Sequence, residues 1–323
     1  MSENTLDYTG RVAVVTGAGR GIGQAYAGLL ADRGAKVVVN DLGVAMDGDS
    51  AAESPAHSAA EAISARGGTA VANTSDVTTA DGARALIDTA IGAFGRLDIV
   101  INNAGIFTND AFPEMDAQWL SRQFAVHIQG SFNVTQAAWP HMTEAGYGRV
   151  VLTTSTSALG ADNTVAYGTA KAAVLGLGRS LAQVGRKKGI KVNMVAPMAF
   201  TRMMAAGLHD AGIAVPDEIA DRGPDLVAPL VALLCHESCP VNGEAFVDGL
   251  RRMSRLFIGE TVGYTHPGLD LTPEIVRDEW DSIVDLEGFR LLTDTMRWTV
   301  INEKEIANSP LPVRTAAGDG ISE

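Results

Sequence analysis

The stretch VAVVTGAGRGIGQAYAGLLADRGAKVVVND, Val12 to Asp41, decides the fold. A Val-rich run ends in a Gly-rich turn, the turn opens directly into a helical pattern, and a second Val run closes on a carboxylate. Continuous apolar runs of this kind suit parallel strands covered by helices on both faces. Strand, crossover helix and strand form the repeating unit of a doubly wound α/β sheet.

The same alternation continues to Val247. Strands are expected at Val12 to Thr16, Lys36 to Asn40, Thr69 to Asn73, Ile99 to Asn102, Val150 to Thr154, Lys191 to Ala196 and Ala245 to Val247. That gives a seven-stranded parallel sheet of the Rossmann kind, with helical spacing over Asp81 to Phe94 and Met115 to Met142. Gly43 to Pro55 reads as a long loop. The alternation stops near Leu250, so the expected organisation is a dinucleotide-binding and catalytic domain over 1–250, a helical extension over 251–310 and a loose tail over 311–323. Within the extension, Thr272 and Pro273 have the order of an N-cap and a first helical residue.

Composition narrows the function classes. A chain of 323 residues with 46% hydrophobic and 20% charged residues can bury a large core. A formal charge of −13 repels phosphate backbones and anionic bilayers, so neither nucleic acid nor membrane is an expected partner. The N-terminal MSENTLDYTG has no signal-peptide pattern and the C-terminal ISE is not a peroxisomal address, so the expected compartment is cytoplasmic. Cys235, His236 and Cys239 stand close together, but no second pair completes a zinc set and no metal is expected.

The Gly-rich turn has a chemistry of its own. Gly17 permits a tight turn, Gly21 and Gly23 let backbone approach a pyrophosphate and pack helix on sheet, and the helix N-terminus offers free N–H groups. Asp41, at the end of the second strand, stands where a carboxylate accepts hydrogen bonds from ribose hydroxyls and repels a 2′-phosphate, which favours NAD over NADP. Arg20 argues the other way, because a guanidinium there could neutralise a 2′-phosphate.

A second stretch, VLTTSTSALGADNTVAYGTAK from Val151 to Lys171, places Tyr167 and Lys171 four residues apart on one helical face. A Lys cation beside a phenol stabilises phenolate and lowers the Tyr pKa, making it a usable base. The TGAGRGIG turn, the NNAG stretch at Asn102 to Gly105 and the YGTAK stretch follow one another in the order that resembles the short-chain dehydrogenase/reductase family. That resemblance implies proton exchange at Tyr167, nicotinamide-ribose binding by Lys171, and hydride transfer between a substrate carbon and nicotinamide. It also implies Ile22 and Arg20 in the phosphate turn, Asp76 and Val77 at the adenine edge, Asn103, Ala104 and Gly105 near the adenosine ribose, and Pro197 and Thr201 near nicotinamide.

The resemblance leaves the catalytic hydroxyl open by one residue. Counting seven from Gly148 selects Ser155, whereas counting thirteen back from Tyr167 selects Thr154. Ser155 is preferred, because loops absorb a deletion more easily than strands absorb a register slip. The family's fourth catalytic position, usually Asn, falls on His127, either as a backbone carbonyl or as a side-chain relay. Met198 stands where Pro–Gly is usual.

His127, the SFNVTQAAWPHM run and the extension resemble the dehydrogenase part of multifunctional β-oxidation enzymes. The expected substrate is a hydrophobic secondary alcohol, a 17β-hydroxysteroid preferred and a 3-hydroxyacyl-CoA the alternative; the rival class is a non-catalytic dinucleotide sensor. Phe200 to Pro216, with Met203, Met204 and Leu208, is the expected lid or a packing helix. The basic runs RKKGIK and RRMSR could meet coenzyme A phosphates or be solvated. The extension either closes a neighbouring subunit's pocket or widens a dimer interface, and a homodimer or homotetramer is expected.

Overall fold

A computed structural model describes residues 5–43, 54–108, 112–201, 223–268 and 270–308. Its central sheet runs β3-β2-β1-β4-β5-β6-β7-β8, with β1 Val12–Thr16, β2 Lys36–Asn40, β3 Thr69–Asn73, β4 Ile99–Asn102, β5 Gly148–Thr153, β6 Ile190–Met198, β7 Ala245–Gly249 and β8 Arg252–Leu256. The first seven are parallel, and the chain reverses direction between β3 and β4, leaving a crevice at the carboxyl ends of β1 and β4. Crevices of this kind are where open α/β sheets bind ligands.

The count of seven strands is corrected to eight: β8 pairs antiparallel with β7 from Ala245↔Leu256 to Gly249↔Arg252. Its sequence RMSRL lacks a run of apolar residues because an edge strand has only partial burial to satisfy, and edge strands commonly carry charge. Helices α1 Gly21–Asp32 and α7 Ala228–Cys235 cover one face of the sheet. Helices α3 Ala80–Phe94, α5 Ser131–Glu144 and α6 Val165–Gly185 cover the other.

The helical stretch from Met115 to Met142 is three pieces, α4 Ala117–Phe124, a π segment Ala125–Gly130 and α5. An apolar pattern reports a face but not one extra residue per turn, so the π segment leaves no sequence signature. The basic run Arg186 to Lys188 forms a short turn between the end of α6 and the start of β6, at the amino ends of the strands and away from the crevice.

The chain divides into two compact units, Met1–Leu256 and Phe257–Glu323. In the second, Thr272 caps the helix Pro273–Asp278 by accepting from the Ile275 N–H, and β9 Gly259–Glu260 pairs with β10 Arg290–Leu291. Lid residues Met203, Met204 and Leu208, the loop over 44–53 and the tail lie outside the described residues. No helix among the described residues is long and apolar enough to cross a membrane.

Candidate active site

The Gly-rich turn between β1 and α1 is closed from three sides. Gly17 has φ +59°, and a Cβ there would lie 2.8 Å from the Ala104 Cα. A Cβ on Gly23 would lie 2.3 Å from the Gly17 carbonyl oxygen, so the first turn of α1 can lean on the sheet only without a side chain. Gly21 has φ +56° and faces open space, with Thr201 at the limit of contact. Asn103 locks the turn: its amide donates to the carbonyls of Thr16 and Gly17, both at 3.0 Å. Its backbone N–H and that of Ala104 both donate to the Thr16 hydroxyl.

Asp41 is held in place by the turn, its carboxylate accepting from the Gly19 N–H at 3.0 Å and the Gly43 N–H at 2.9 Å. Gly19 was not singled out in the sequence. A Cβ there would fall 2.8 Å from the Asp41 carboxylate and 2.5 Å from Pro55, and the repeated Gly spacing of TGAGRG was the available signal. Asp76 accepts from the backbone and hydroxyl of Thr78, and Val77 is buried beneath Gly130. Arg20 is the N-cap of α1, with no side-chain cap bond.

At the carboxyl end of β5, three consecutive residues address α6. The Thr153 carbonyl accepts from Lys171 Nζ at 2.8 Å, the buried Thr154 hydroxyl donates to the Lys171 carbonyl at 2.6 Å, and the Ser155 hydroxyl accepts from the Ser157 N–H at 3.2 Å beside the Tyr167 phenol. The two hydroxyls left open by counting therefore differ in duty: that of Thr154 is spent on backbone. The turn Thr156–Leu159 lies so close to α6 that a Cβ on Gly168 would be 2.8 Å from the Ser157 carbonyl oxygen. The rings of Phe107 and His127 meet Tyr167 edge-on, with centroids 5.1 and 5.4 Å away.

His127 lies in the π segment, and its Nε2 is 2.9 Å from the Ile106 carbonyl. A carbonyl only accepts, so Nε2 carries the proton and Nδ1 is a bare acceptor, buried without a partner. Burial, then the Lys171 charge, hold the ring pKa well below its ordinary value, so it is neutral at pH 7. Gly105 makes room for this ring, since a Cβ there would lie 2.6 Å from Cε1.

The electrostatics differ from the expected direction. Burial pushes the Tyr167 phenol up, and the Ser155 hydrogen bond opposes it only in part. Burial also pushes Lys171 down to about 7. Nζ sits 5.5 Å over the Tyr167 ring, but desolvation disfavours both charged forms and outweighs the attraction between them.

Pro197 and Met198 continue β6 as paired strand, opposite Asp248 and Gly249. A Cβ on Gly249 would lie 2.4 Å from the Met198 Cβ, so the small residue has moved to the neighbouring strand. Cys235 and Cys239 are buried, the second bonded to Asn193 and Val241.

The short chain dehydrogenase family matches residues 11–211. Over 286 residues the chain is 41% identical to peroxisomal multifunctional enzyme type 2 of Mus musculus, covering 88% of this chain and 38% of that protein. It is 37% identical to a hydroxyacyl-CoA dehydrogenase, ChsB1, of Mycobacterium tuberculosis, covering 76% of this chain and 78% of the other. Full-length peroxisomal multifunctional enzyme type 2 of Drosophila melanogaster superposes with a TM-score of 0.77 at 32% identity, covering 95% of this chain and 51% of that one. The chain thus spans about half or less of these two multifunctional enzymes. Together with the match of the family over the Rossmann sheet, this shows that the chain belongs to the short chain dehydrogenase family, whose members generally use nicotinamide dinucleotides.

Proposed function

We propose that the protein oxidises the hydroxyl of a 3-hydroxyacyl-CoA thioester to a ketone, with NAD as the cofactor. The observation that carries this reading is the convergence of Ser155, Tyr167 and Lys171 at the carboxyl end of β5, on the sheet edge that also carries the Gly-rich turn. The names of the multifunctional enzymes and of the hydroxyacyl-CoA dehydrogenase among its relatives support the thioester over the 17β-hydroxysteroid preferred from sequence.

The glycine cradle and the Asp41 carboxylate fit a dinucleotide: Gly17 and Gly23 let the turn close where a Cβ would strike backbone, and Gly21 leaves its outer face open. When bound, NAD supplies a two-electron hydride acceptor. Asp41, fixed by the Gly19 N–H, receives the adenosine ribose hydroxyls and repels a 2′-phosphate. As phenolate, the Tyr167 oxygen takes the alcohol proton; burial holds this phenol's pKa up, so its own proton must leave first and the rate is expected to rise with pH. The Ser155 hydroxyl hydrogen-bonds the reacting oxygen and steadies its developing charge. Lys171 holds the nicotinamide ribose, while His127, neutral and tied to Ile106, supports the Tyr167 ring instead of relaying a proton. A homo-oligomer is supported by exposed Trp280, Leu286 and Phe289 in the extension.

The test crosses NAD and NADP with 3-hydroxyacyl-CoA thioesters and 17β-hydroxysteroids, reading initial rates of nicotinamide reduction. NAD with a thioester is expected to give the highest kcat/KM. A higher value for the steroid would overturn the substrate, and preference for NADP would overturn the role of Asp41.

A further inference from the structure

We propose that the β7–β8 hairpin carries a phosphate-binding site for the coenzyme A end of the substrate, formed by Arg251 and Arg252; this rests on the thioester reading above. In a chain of formal charge −13, these two exposed guanidinium groups meet no carboxylate among the described residues, whereas Arg255 on the same strand is paired with both oxygens of Glu244. Guanidinium is the side chain best shaped for phosphate.

The hairpin is also built against local preference. Leu250 and Arg251 have φ of 54° and 62°, the only non-glycine residues with positive φ among those described. Two-residue hairpins of this shape ordinarily use Asn or Gly, because a Cβ is crowded in the left-handed region. Unfavourable backbone of this kind gathers where function requires a side chain. Here it presents the Arg251 side chain at the tip.

Register gives the position. Met198, Gly249 and Arg252 lie in one row across β6, β7 and β8, at the carboxyl ends of the parallel strands. Leu256 packs in the same core cluster as Val174 and Ala182 of α6, so alternation along β8 puts Arg252 on the face of the sheet that α6 covers. With strands about 4.8 Å apart, Arg252 stands three spacings, about 14 Å, from β5. An extended pantetheine arm leading from a thioester at Tyr167 spans such a distance. The other basic run, Arg186 to Lys188, lies at the opposite end of the strands and serves as the control.

The experiment compares wild type, R251Q/R252Q and K187Q/K188Q on a 3-hydroxyacyl-CoA and on the N-acetylcysteamine thioester of the same acid, which has no phosphate. In R251Q/R252Q the KM for the CoA thioester should rise roughly tenfold, the equivalent of one lost charge-assisted contact. Its kcat and the kcat/KM for the truncated thioester should stay unchanged, and K187Q/K188Q should match wild type. An unchanged KM for the CoA thioester, or an equal loss on both substrates, would overturn the site. Calorimetric titration with coenzyme A separates this outcome from failure of the thioester reading. If wild type oxidises neither thioester yet binds coenzyme A, with R251Q/R252Q roughly tenfold weaker, the site stands and the reaction does not. No binding by wild type, or equal binding by both proteins, overturns the site.

Discussion

The nucleotide turn and the catalytic corner are built by opposite means. Around β1 and α1, room is made by removing side chains: Gly17, Gly19 and Gly23 stand where a Cβ would strike backbone or a carboxylate. Around the end of β5, room is taken up: Thr153 and Thr154 both bond Lys171 of α6, Ser155 lies beside Tyr167, and the rings of Phe107 and His127 close on Tyr167. On the proposed function, the first region binds through backbone that must come close, and the second reacts through side chains that must not move. Substitutions should therefore fail differently in the two.

Tyr167 itself aside, the largest loss should come from Ser155→Ala, which removes the hydrogen bond to the reacting oxygen. We expect kcat to fall by about 10² to 10³ with nucleotide affinity intact, as for loss of an oxyanion donor; a kcat close to wild type would return the role to Thr154. Gly23→Ala should break the first region instead. Its Cβ would press on the Gly17 carbonyl, so NAD titration should show binding weakened by at least about tenfold, alongside a lower Tm. Unchanged affinity would mean that the turn is not the binding element.

Thr154→Val should cost about 1 kcal/mol of stability, the net worth of one buried hydrogen bond, with little change in kcat. Thermal unfolding and steady-state rates on the same preparation check both halves. The smallest effect concerns Asp248, a buried carboxyl with both oxygens unpartnered, which burial pushes up to about 6. A carboxyl whose folded pKa is raised contributes stability at low pH that is lost as pH rises through 6. Asp248→Asn should therefore raise Tm relative to wild type at pH ~8, and the gap should close near pH ~4, around the unperturbed carboxylate value. A gap independent of pH would contradict the assignment.

The same contrast explains what was legible in the sequence. Strands β1, β2 and β4 were readable to the residue, because buried parallel strands must be continuously apolar. Strand β8 was not, since RMSRL at a sheet edge obeys no such rule. Glycine spacing revealed the turn but missed Gly19, whose need arises only from the distant Asp41 and Pro55. At the catalytic corner the Tyr–Lys pair was readable from helical spacing, whereas Thr154 and Ser155 were not separable by counting. Their difference lies in the path of one short loop against Gly168. The raised Tyr167 pKa was unreadable for a similar reason, because burial of both partners is a property of the fold and not of their spacing.

The central claim is that binding and chemistry reside in these separate regions, with the proton passing through Tyr167. It is tested most directly by measuring, for Tyr167→Phe, turnover of a 3-hydroxyacyl-CoA and the Kd for NAD side by side. The account predicts that kcat falls by at least about 10³, the scale of a lost general acid–base group, while Kd stays at the wild-type value. Retained turnover, or a Kd that rises in step with the loss of rate, would contradict it.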